Sequence, residues 1–100
     1  MSDEVRASYD ELEQVAQRFA RAQSEIQQML QSVRGAMEPL ENGSWIGRGS
    51  DAFFREMRSL VLPSVTRLQS ALGEASTTTK NISQTMKQAD EEAAAPFRIS

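Results

Sequence analysis

The feature that most constrains the fold is a seven-residue repeat of apolar side chains between Val5 and Leu40. Two interleaved series carry the repeat, and they consist of Val5, Leu12, Phe19, Ile26, Val33 and Leu40, and of Tyr9, Ala16, Gln23, Leu30 and Met37. Two series spaced in this way form one apolar stripe along a long α-helix, which has to bury the stripe against a partner helix. The repeat therefore predicts helix one, over about residues 8–41.

The same repeat returns in the second half of the chain. Its members are Phe54, Val61, Leu68, Ala75, Ile82 and Ala89, with Val65, Leu72, Thr79, Met86 and Ala93 between them. This pattern predicts helix two, over about residues 50–94. Pro63 has no amide hydrogen to donate, so we expect a kink or an irregular turn near Ser59.

The segment between the two repeats is predicted to be a loop. Residues 42–49 contain Asn42-Gly43 and two further glycines, which is typical of a helix end followed by a turn. Two long helices joined by so short a loop fold back on each other. The sequence therefore predicts an all-α, antiparallel two-helix hairpin, as a single domain over residues 1–100 with a tail at 95–100.

The start of helix one stays open at the level of sequence. Ser8 and Glu11 have the spacing of a capping box, in which each side chain caps a backbone amide of the first turn. Ser2 or Asp3 would begin the helix one or two turns earlier. Both alternatives leave the apolar stripe unchanged.

Further apolar side chains lie beside the predicted stripes, which suggests a partner. They are Val15, Met29, Phe53, Met57, Leu60 and Leu62. A lone hairpin buries one stripe of each helix, and large exposed apolar patches usually mark interfaces. We therefore expect a dimer that forms a four-helix bundle, with an interface that includes Phe54, Met57, Leu60 and Val61. A homodimer and a heterodimer with a related hairpin protein would bury the same kind of surface.

Composition argues against most kinds of chemistry. The 100 residues include no cysteine and no histidine, and the formal net charge is −3. Disulfides, thiolate nucleophiles, Ser-His pairs and most zinc or haem ligand sets therefore have no residues to form them. A negative net charge also disfavours nucleic acid as a partner. We expect no enzyme activity, no catalytic, cofactor-binding or metal-binding residues, and no small-molecule substrate.

The first residues do not resemble a secretory signal peptide. The segment MSDEVRASYDELEQ is acidic and has no apolar core. No apolar run anywhere in the chain exceeds three residues, whereas a membrane-spanning helix needs about 20. These observations predict neither a signal peptide nor a transmembrane helix.

The loop holds a tripeptide, Trp45-Ile46-Gly47, that carries a family resemblance. A Trp-X-Gly loop between two heptad helices, in a chain of 100 residues, resembles the small ESAT-like proteins of type VII secretion systems. Gly49 and Phe53 fall where that family favours a small residue and an aromatic one. The resemblance implies a motif or partner-binding site at Trp45, Gly47, Gly49 and Phe53. A simpler interpretation is that Trp45 caps the end of the hairpin core.

The resemblance also implies an export signal near the end of helix two. That family carries Tyr-x-x-x-Asp/Glu there, and this chain has Met86 in place of the tyrosine, followed by Asp90 and Glu91. The missing tyrosine implies that a partner completes the signal or that the signal is divergent. Tyr9 and Glu13 share the spacing, but Tyr9 lies in helix one and is interpreted as part of the apolar stripe.

Taken together, the resemblance implies a non-enzymatic protein that a membrane-associated secretion ATPase exports as a folded dimer. Such a protein is cytoplasmic before export and is then secreted without a signal peptide. The alternative is a cytoplasmic helical adaptor or structural bundle subunit that is never exported, and the missing tyrosine favours it.

Overall fold

The computed structural model describes residues 3–94, and the side chains of 6–43 and 45–94. Its elements are α1 (Asp3–Pro39), a π-helical turn (Leu40–Ser44), α2 (Arg48–Glu56), a second π-helical turn (Met57–Val61) and α3 (Leu62–Ala94). The helix runs without a break from 48 to 94, and we call this stretch the second arm. The two arms form an all-helical hairpin of 77 × 19 × 18 Å, which confirms the predicted fold class. The predicted tail at 95–100 lies outside the described residues.

The two wide turns occur where proline disturbs the helix. Pro39 ends α1, and the π-helical turn after it closes with a 3.0 Å hydrogen bond from the Trp45 amide to the Leu40 carbonyl. In the second arm, Pro63 cannot donate to the carbonyl four residues earlier, which belongs to Ser59. The irregular turn expected near Ser59 is therefore present, as the π-helical turn Met57–Val61. Both wide turns lie at the loop end of the hairpin.

The stripe of α1 packs largely as its repeat predicts, although Leu40, its last predicted member, lies in the π-helical turn and is exposed. Tyr9, Ala16, Leu30 and Met37 are buried at intervals of seven or fourteen residues. The helix begins at Asp3 rather than at Ser8, so the earlier of the two possible starts is the one adopted. The repeat in α1 therefore identifies the side of the helix that faces the second arm.

The stripe predicted for helix two is wrong in part. Ser76 and Ser83 are buried against α1, whereas Leu68 and Ile82 are exposed. The Ser76 hydroxyl donates a 2.8 Å hydrogen bond to the Ala16 carbonyl, so its burial leaves no polar atom unsatisfied. Small side chains at this level allow the helices to approach closely, and a Cβ atom at Gly73 would overlap the side-chain amide of Gln23.

The large side chains displaced from the seam form an outer face. In α1 this face includes Val15 and Met29, and in the second arm it includes Val61, Leu68 and Ile82, all of which are exposed. These positions lie about 60–120° around each helix from the buried ones, in the same rotational sense in both arms. Because the arms are antiparallel, that sense places both stripes on one side of the hairpin. Within residues 3–94, no helix is both long enough and apolar enough to cross a membrane.

Candidate functional site

The loop between the arms is short and has a defined backbone. Trp45 is extended, with φ −121° and ψ 107°, and α2 begins at Arg48 with Gly47 as its N-cap residue. The Gly47 carbonyl accepts a 3.0 Å hydrogen bond from the Asp51 amide and a 2.9 Å bond from the Ser50 hydroxyl. Ser50 is buried whereas Gly47 is exposed, so the hydrogen bond between them is part-buried. The loop is thereby fixed to the first turn of α2.

The glycine of the tripeptide is required by the backbone. Gly47 has φ 132° and ψ −178°, a conformation that only glycine adopts without strain. It is the single residue with positive φ among those the structure describes. Gly49, two residues later, needs no such conformation and would have open space around a Cβ atom. The two predicted glycine positions therefore differ, because the turn depends on Gly47 alone.

Three aromatic rings pack together at this end of the hairpin, which we call the tip. The Trp45 ring centroid lies 5.2 Å from that of Phe53 and 5.6 Å from that of Phe54, and the two phenylalanines are 5.3 Å apart. These are favourable edge or tilted arrangements. Phe54 is 5% exposed, whereas Trp45 and Phe53 are 40% and 38% exposed and Ile46 is 89% exposed. The tip thus presents an apolar patch of Trp45, Ile46 and Phe53, supported from beneath by Phe54.

Phe54 differs from the other three residues of the predicted dimer interface. Its ring is 5% exposed inside the tip of a single hairpin and has little surface to offer a partner. The interface itself stays a prediction. Leu60 and Val61 remain exposed and Met57 is half-buried, so these three keep a surface for the expected interface. The two adjacent phenylalanines therefore differ: Phe53 is exposed to solvent, and Phe54 is buried and packs against the other two rings.

A groove lies beside the aromatic cluster, between the two wide turns. It has a volume of about 670 Å³ and is lined by Glu41, Trp45, Ser50, Asp51, Phe54, Arg55, Arg58 and Ser59. Arg58 forms an ion pair with Glu41 across the two arms, and its guanidinium lies 5.9 Å from the centre of the Phe54 ring. Glu41 lies in the other wide turn, and no sequence pattern indicated that it pairs with Arg58.

The opposite end of the hairpin, where α1 begins and α3 ends, contains the predicted export-signal region. Met86, Asp90 and Glu91 are all exposed. The Tyr9 hydroxyl of α1 donates a hydrogen bond to Asp90 Oδ2. This bond, with smaller contributions from burial and from the negative charges of Asp90 and Glu91, raises the pKa of Tyr9 to about 12. Tyr9 therefore keeps its proton, and can act as a donor, to a higher pH than an ordinary tyrosine does.

Sequence reasoning missed the Tyr9–Asp90 contact. Each residue had a local interpretation, Tyr9 as part of an apolar stripe and Asp90 as part of the implied export signal. The fold gives Asp90 a partner that lies 81 residues earlier in the chain. The signal that would have found the pair is the antiparallel register, which places the first turns of α1 opposite the last turns of α3.

Neither end of the hairpin contains an evident metal centre. Among the described residues, no three His, Cys, Asp or Glu side chains are grouped so that they could hold a metal ion. The two ends instead provide surfaces that can bind a partner. The tip has an apolar patch with a polar groove beside it, and the opposite end has an acidic helix end.

Comparison with known proteins identifies the family. Searches of curated proteins and of solved structures gave no match to this chain. The sequence profile of the WXG100 family, described as proteins of 100 residues with WXG, matches residues 4–91. That range includes nearly all of both arms, the tripeptide at the tip and the Tyr9–Asp90 pair. The chain belongs to the WXG100 family.

Proposed function

We propose that this protein is a non-enzymatic substrate of a type VII secretion system, exported as a folded dimer. Secretion and dimer formation are typical of the WXG100 family, whose members are small secreted helical proteins and not enzymes. The observation that carries the proposal is the tip, where Ile46 is 89% exposed next to two half-exposed aromatic rings. Large apolar side chains held out to solvent by a fixed backbone favour a role in binding.

The outer face supports dimer formation. Val15 and Met29 of α1 and Leu68 and Ile82 of α3 are exposed on one side of the hairpin, while serines fill part of its inner seam. A second hairpin packed on this side would bury the larger side chains and complete a four-helix bundle. The partner is a second copy or a related hairpin protein.

In this proposal a membrane-associated ATPase recognises two surfaces of the protein. The first is the apolar patch of Trp45, Ile46 and Phe53, positioned by Gly47. The second is the acidic end of α3 around Met86, Asp90 and Glu91. They lie at opposite ends of a rod 77 Å long, so one hairpin does not present both to a single small site.

Secretion of tip variants tests the role of the patch. We expect Trp45→Ala and Ile46→Ala to lower the secreted fraction by about tenfold or more, because central apolar anchors carry most binding energy. Gly49→Ala is the matched control, since a Cβ atom there meets open space. The secreted and cellular fractions are compared by immunoblot in strains with and without the secretion ATPase, and folding is checked by circular dichroism. Normal export of a folded Trp45→Ala and Ile46→Ala double variant would contradict the role of the patch.

The same strains separate export from the alternative function. If the wild-type protein stays in the cell when the ATPase is intact, the export proposal is wrong and the alternative, a cytoplasmic helical adaptor or structural bundle subunit, is favoured. If it reaches the medium only when the ATPase is present, the adaptor alternative is excluded.

Native mass tests the outer face. We expect the purified chain to be a dimer, and Met29→Ser combined with Leu68→Ser to shift it toward monomer. Gln28→Ser is the control, because Gln28 is exposed next to Met29 but points away from the outer face. If the wild-type protein is a monomer and forms a dimer only with a related hairpin protein, the heterodimer is correct and the homodimer is wrong. A dimer unaffected by the double substitution contradicts the interface.

A further inference from the structure

The outer face repeats one arrangement of side chains in both arms. Each arm has an alanine that lies seven residues from a large apolar residue on either side. The two sets are Val15, Ala22 and Met29 in α1, and Leu68, Ala75 and Ile82 in α3. The four large side chains are exposed, and the two alanines are half-buried. Residues seven apart share one side of a helix, so each arm presents a shallow position between two apolar projections.

The two alanines lie at about the same height along the hairpin. Gly73 of α3 packs against the side chain of Gln23, and this contact defines the register of the arms at that level. Ala22 and Ala75 lie one and two residues from it, which is at most about 3 Å along a helix. The outer face therefore has one centre, formed by Ala22 and Ala75, which we call the saddle.

A face that is arranged in the same way on both sides of one centre is complementary to a second copy of itself. In an interface with two-fold symmetry, a contact from residue i of one copy to residue j of the other is repeated from j to i. With the symmetry axis at the saddle, alanine meets alanine and the two rods approach closely there. The rods diverge on either side because packed helices cross at an angle, and the larger side chains can fill the widening gap.

Two orientations of the second copy satisfy this packing. If both tips lie at the same end, α1 of one copy faces α3 of the other. If the tips lie at opposite ends, α1 faces α1 and α3 faces α3. The saddles coincide in both cases, so apolar packing alone does not choose between the two orientations.

Charged residues beside the outer face do distinguish the orientations. Arg18 and Glu25 lie on the edge of this face in α1, four residues before and three residues after Ala22. Both are exposed, and within the part of the chain that the structure describes neither side chain has an ion-pair or hydrogen-bond partner. With the tips at opposite ends, Arg18 of each copy lies within about one residue of the level of Glu25 of the other. With the tips at the same end, this edge faces the uncharged residues Ala71 and Thr78.

The acidic end of the rod favours the same orientation. Exposed carboxylates are concentrated where α1 begins and α3 ends, at Asp10, Glu11, Asp90, Glu91 and Glu92. If both tips lay at the same end, two such acidic ends would meet and repel each other. Tips at opposite ends place the acidic ends far apart.

We propose that this protein recognises a second copy of itself through the outer face, with the tips at opposite ends and two reciprocal ion pairs between Arg18 and Glu25. The inference rests on the proposed function, because it names the partner in the exported dimer. Exposed ion pairs contribute little to affinity, but like charges placed opposite each other disfavour wrong partners. The apolar side chains around the saddle hold the two copies together, and Arg18 and Glu25 select the partner and its orientation.

Charge reversal tests the reciprocal pairs. We expect Arg18→Glu and Glu25→Arg each to raise the dissociation constant of the dimer by about ten- to a hundredfold, because every dimer then contains two like-charge contacts. An equimolar mixture of the two variants should dimerise as the wild type does, since one copy is then acidic at both positions and the other is basic at both. Sedimentation velocity at one protein concentration and low salt measures dimer formation, and circular dichroism checks the helical content.

Glu74→Arg is the matched control for this experiment. It changes the net charge by the same amount as Glu25→Arg, but Glu74 is exposed beside a polar groove that Gln23 and Thr77 also line, away from the outer face. Its dissociation constant should equal that of the wild type. A loss of dimer in this variant as large as in Glu25→Arg would show that net charge, and not the pair, is responsible.

The outcomes separate this inference from the proposed function. A wild-type dimer that neither reversal weakens, or a mixture that does not recover, overturns the reciprocal pairs and leaves the exported dimer in place. If the wild-type protein is monomeric alone, recognition of a second copy is wrong, and the exported dimer requires a related hairpin protein. If the pairs behave as expected but the protein is not exported, self-recognition stands and the proposed function is wrong.

Discussion

The two ends of the hairpin are built in opposite ways. At the tip, three aromatic rings, an ion pair between the arms and a capped glycine turn fix the backbone and hold an apolar patch in place. At the opposite end, the side chains of residues 84–94 are all exposed, and the Tyr9 hydroxyl of α1 donates a hydrogen bond to Asp90. The difference teaches that one hairpin can hold an apolar patch in place by packing at one end and leave a polar helix in solvent at the other. A surface that is held in place before binding loses little conformational freedom when it binds.

Removal of a ring should show the largest difference between the ends. We expect Phe54→Ala to lower the free energy of unfolding by about 3 kcal/mol, because it deletes a buried ring beneath Trp45 and Phe53. Met86→Ala, at a half-exposed position near the end of α3, should cost less than about 1 kcal/mol. Urea unfolding at one fixed protein concentration measures both. Equal costs would mean that the tip is no better packed than the opposite end.

The two glycines of the tip give the next largest effect. We expect Gly47→Ala to cost about 1–3 kcal/mol, because alanine is strained at φ 132°. Gly49→Ala should be neutral or stabilising by up to about 1 kcal/mol, since it lies in α2 with open space around it. Thermal unfolding followed by circular dichroism compares them. A Gly47→Ala variant as stable as Gly49→Ala would show that the turn does not need glycine.

The opposite end should be sensitive to alkaline pH. The pKa of Tyr9 is raised from 10.0 to about 12 in the folded protein, so the folded state holds this proton more tightly than the unfolded state does. The associated stability is fully present below pH 10 and is lost as the pH rises through about 12. Tyr9 is the only tyrosine, so ultraviolet absorbance of the phenolate reports its titration without interference from another. Asp90→Asn should move that pKa back toward 10.0, and an unmoved pKa would show that Asp90 is not its partner.

The ion pair at the tip should have the smallest effect. Arg58 and Glu41 have 55% and 32% exposed side chains, so water screens their attraction. We expect Glu41→Gln to cost about 0.5 kcal/mol or less, and Glu25→Gln, an exposed change in the middle of α1, to cost nothing measurable. Urea unfolding at low and at high salt measures the difference. A cost at Glu41 that salt does not reduce would mean that the residue acts through packing.

Sequence patterns predicted the hairpin because the repeat in α1 is carried by side chains that are in fact buried, such as Leu30 and Met37. The same reasoning gave the wrong face for part of helix two. The hydrophobic pattern there marks the outer face, while Ser76 and Ser83 are buried in the seam. A serine is small enough for the helices to approach closely, and its hydroxyl can donate a hydrogen bond to a backbone carbonyl, as Ser76 does to Ala16. Periodicity alone cannot tell a stripe that faces the other arm from one that faces outward.

Sequence reasoning likewise identified some residues of the candidate sites and missed others. Trp45 and Gly47 could be singled out because their chemistry is local: a large ring in a turn, and a glycine where the backbone requires one. The Tyr9–Asp90 and Glu41–Arg58 pairs could not, because each joins residues of different arms and depends on the antiparallel register. Contacts set by register require the structure, even when the fold itself is predictable.

The hairpin geometry also determines how the molecule responds to mechanical force. Because both arms end on the same side, a pull on the end of the second arm against α1 loads the contacts one after another, as in unzipping, and does not shear the whole seam at once. The Tyr9–Asp90 bond is the first to bear that load, and the aromatic cluster at the tip, 77 Å away at most, is the last. Resistance to unfolding therefore depends on the direction of pulling, and it is lowest from the end that carries the acidic segment.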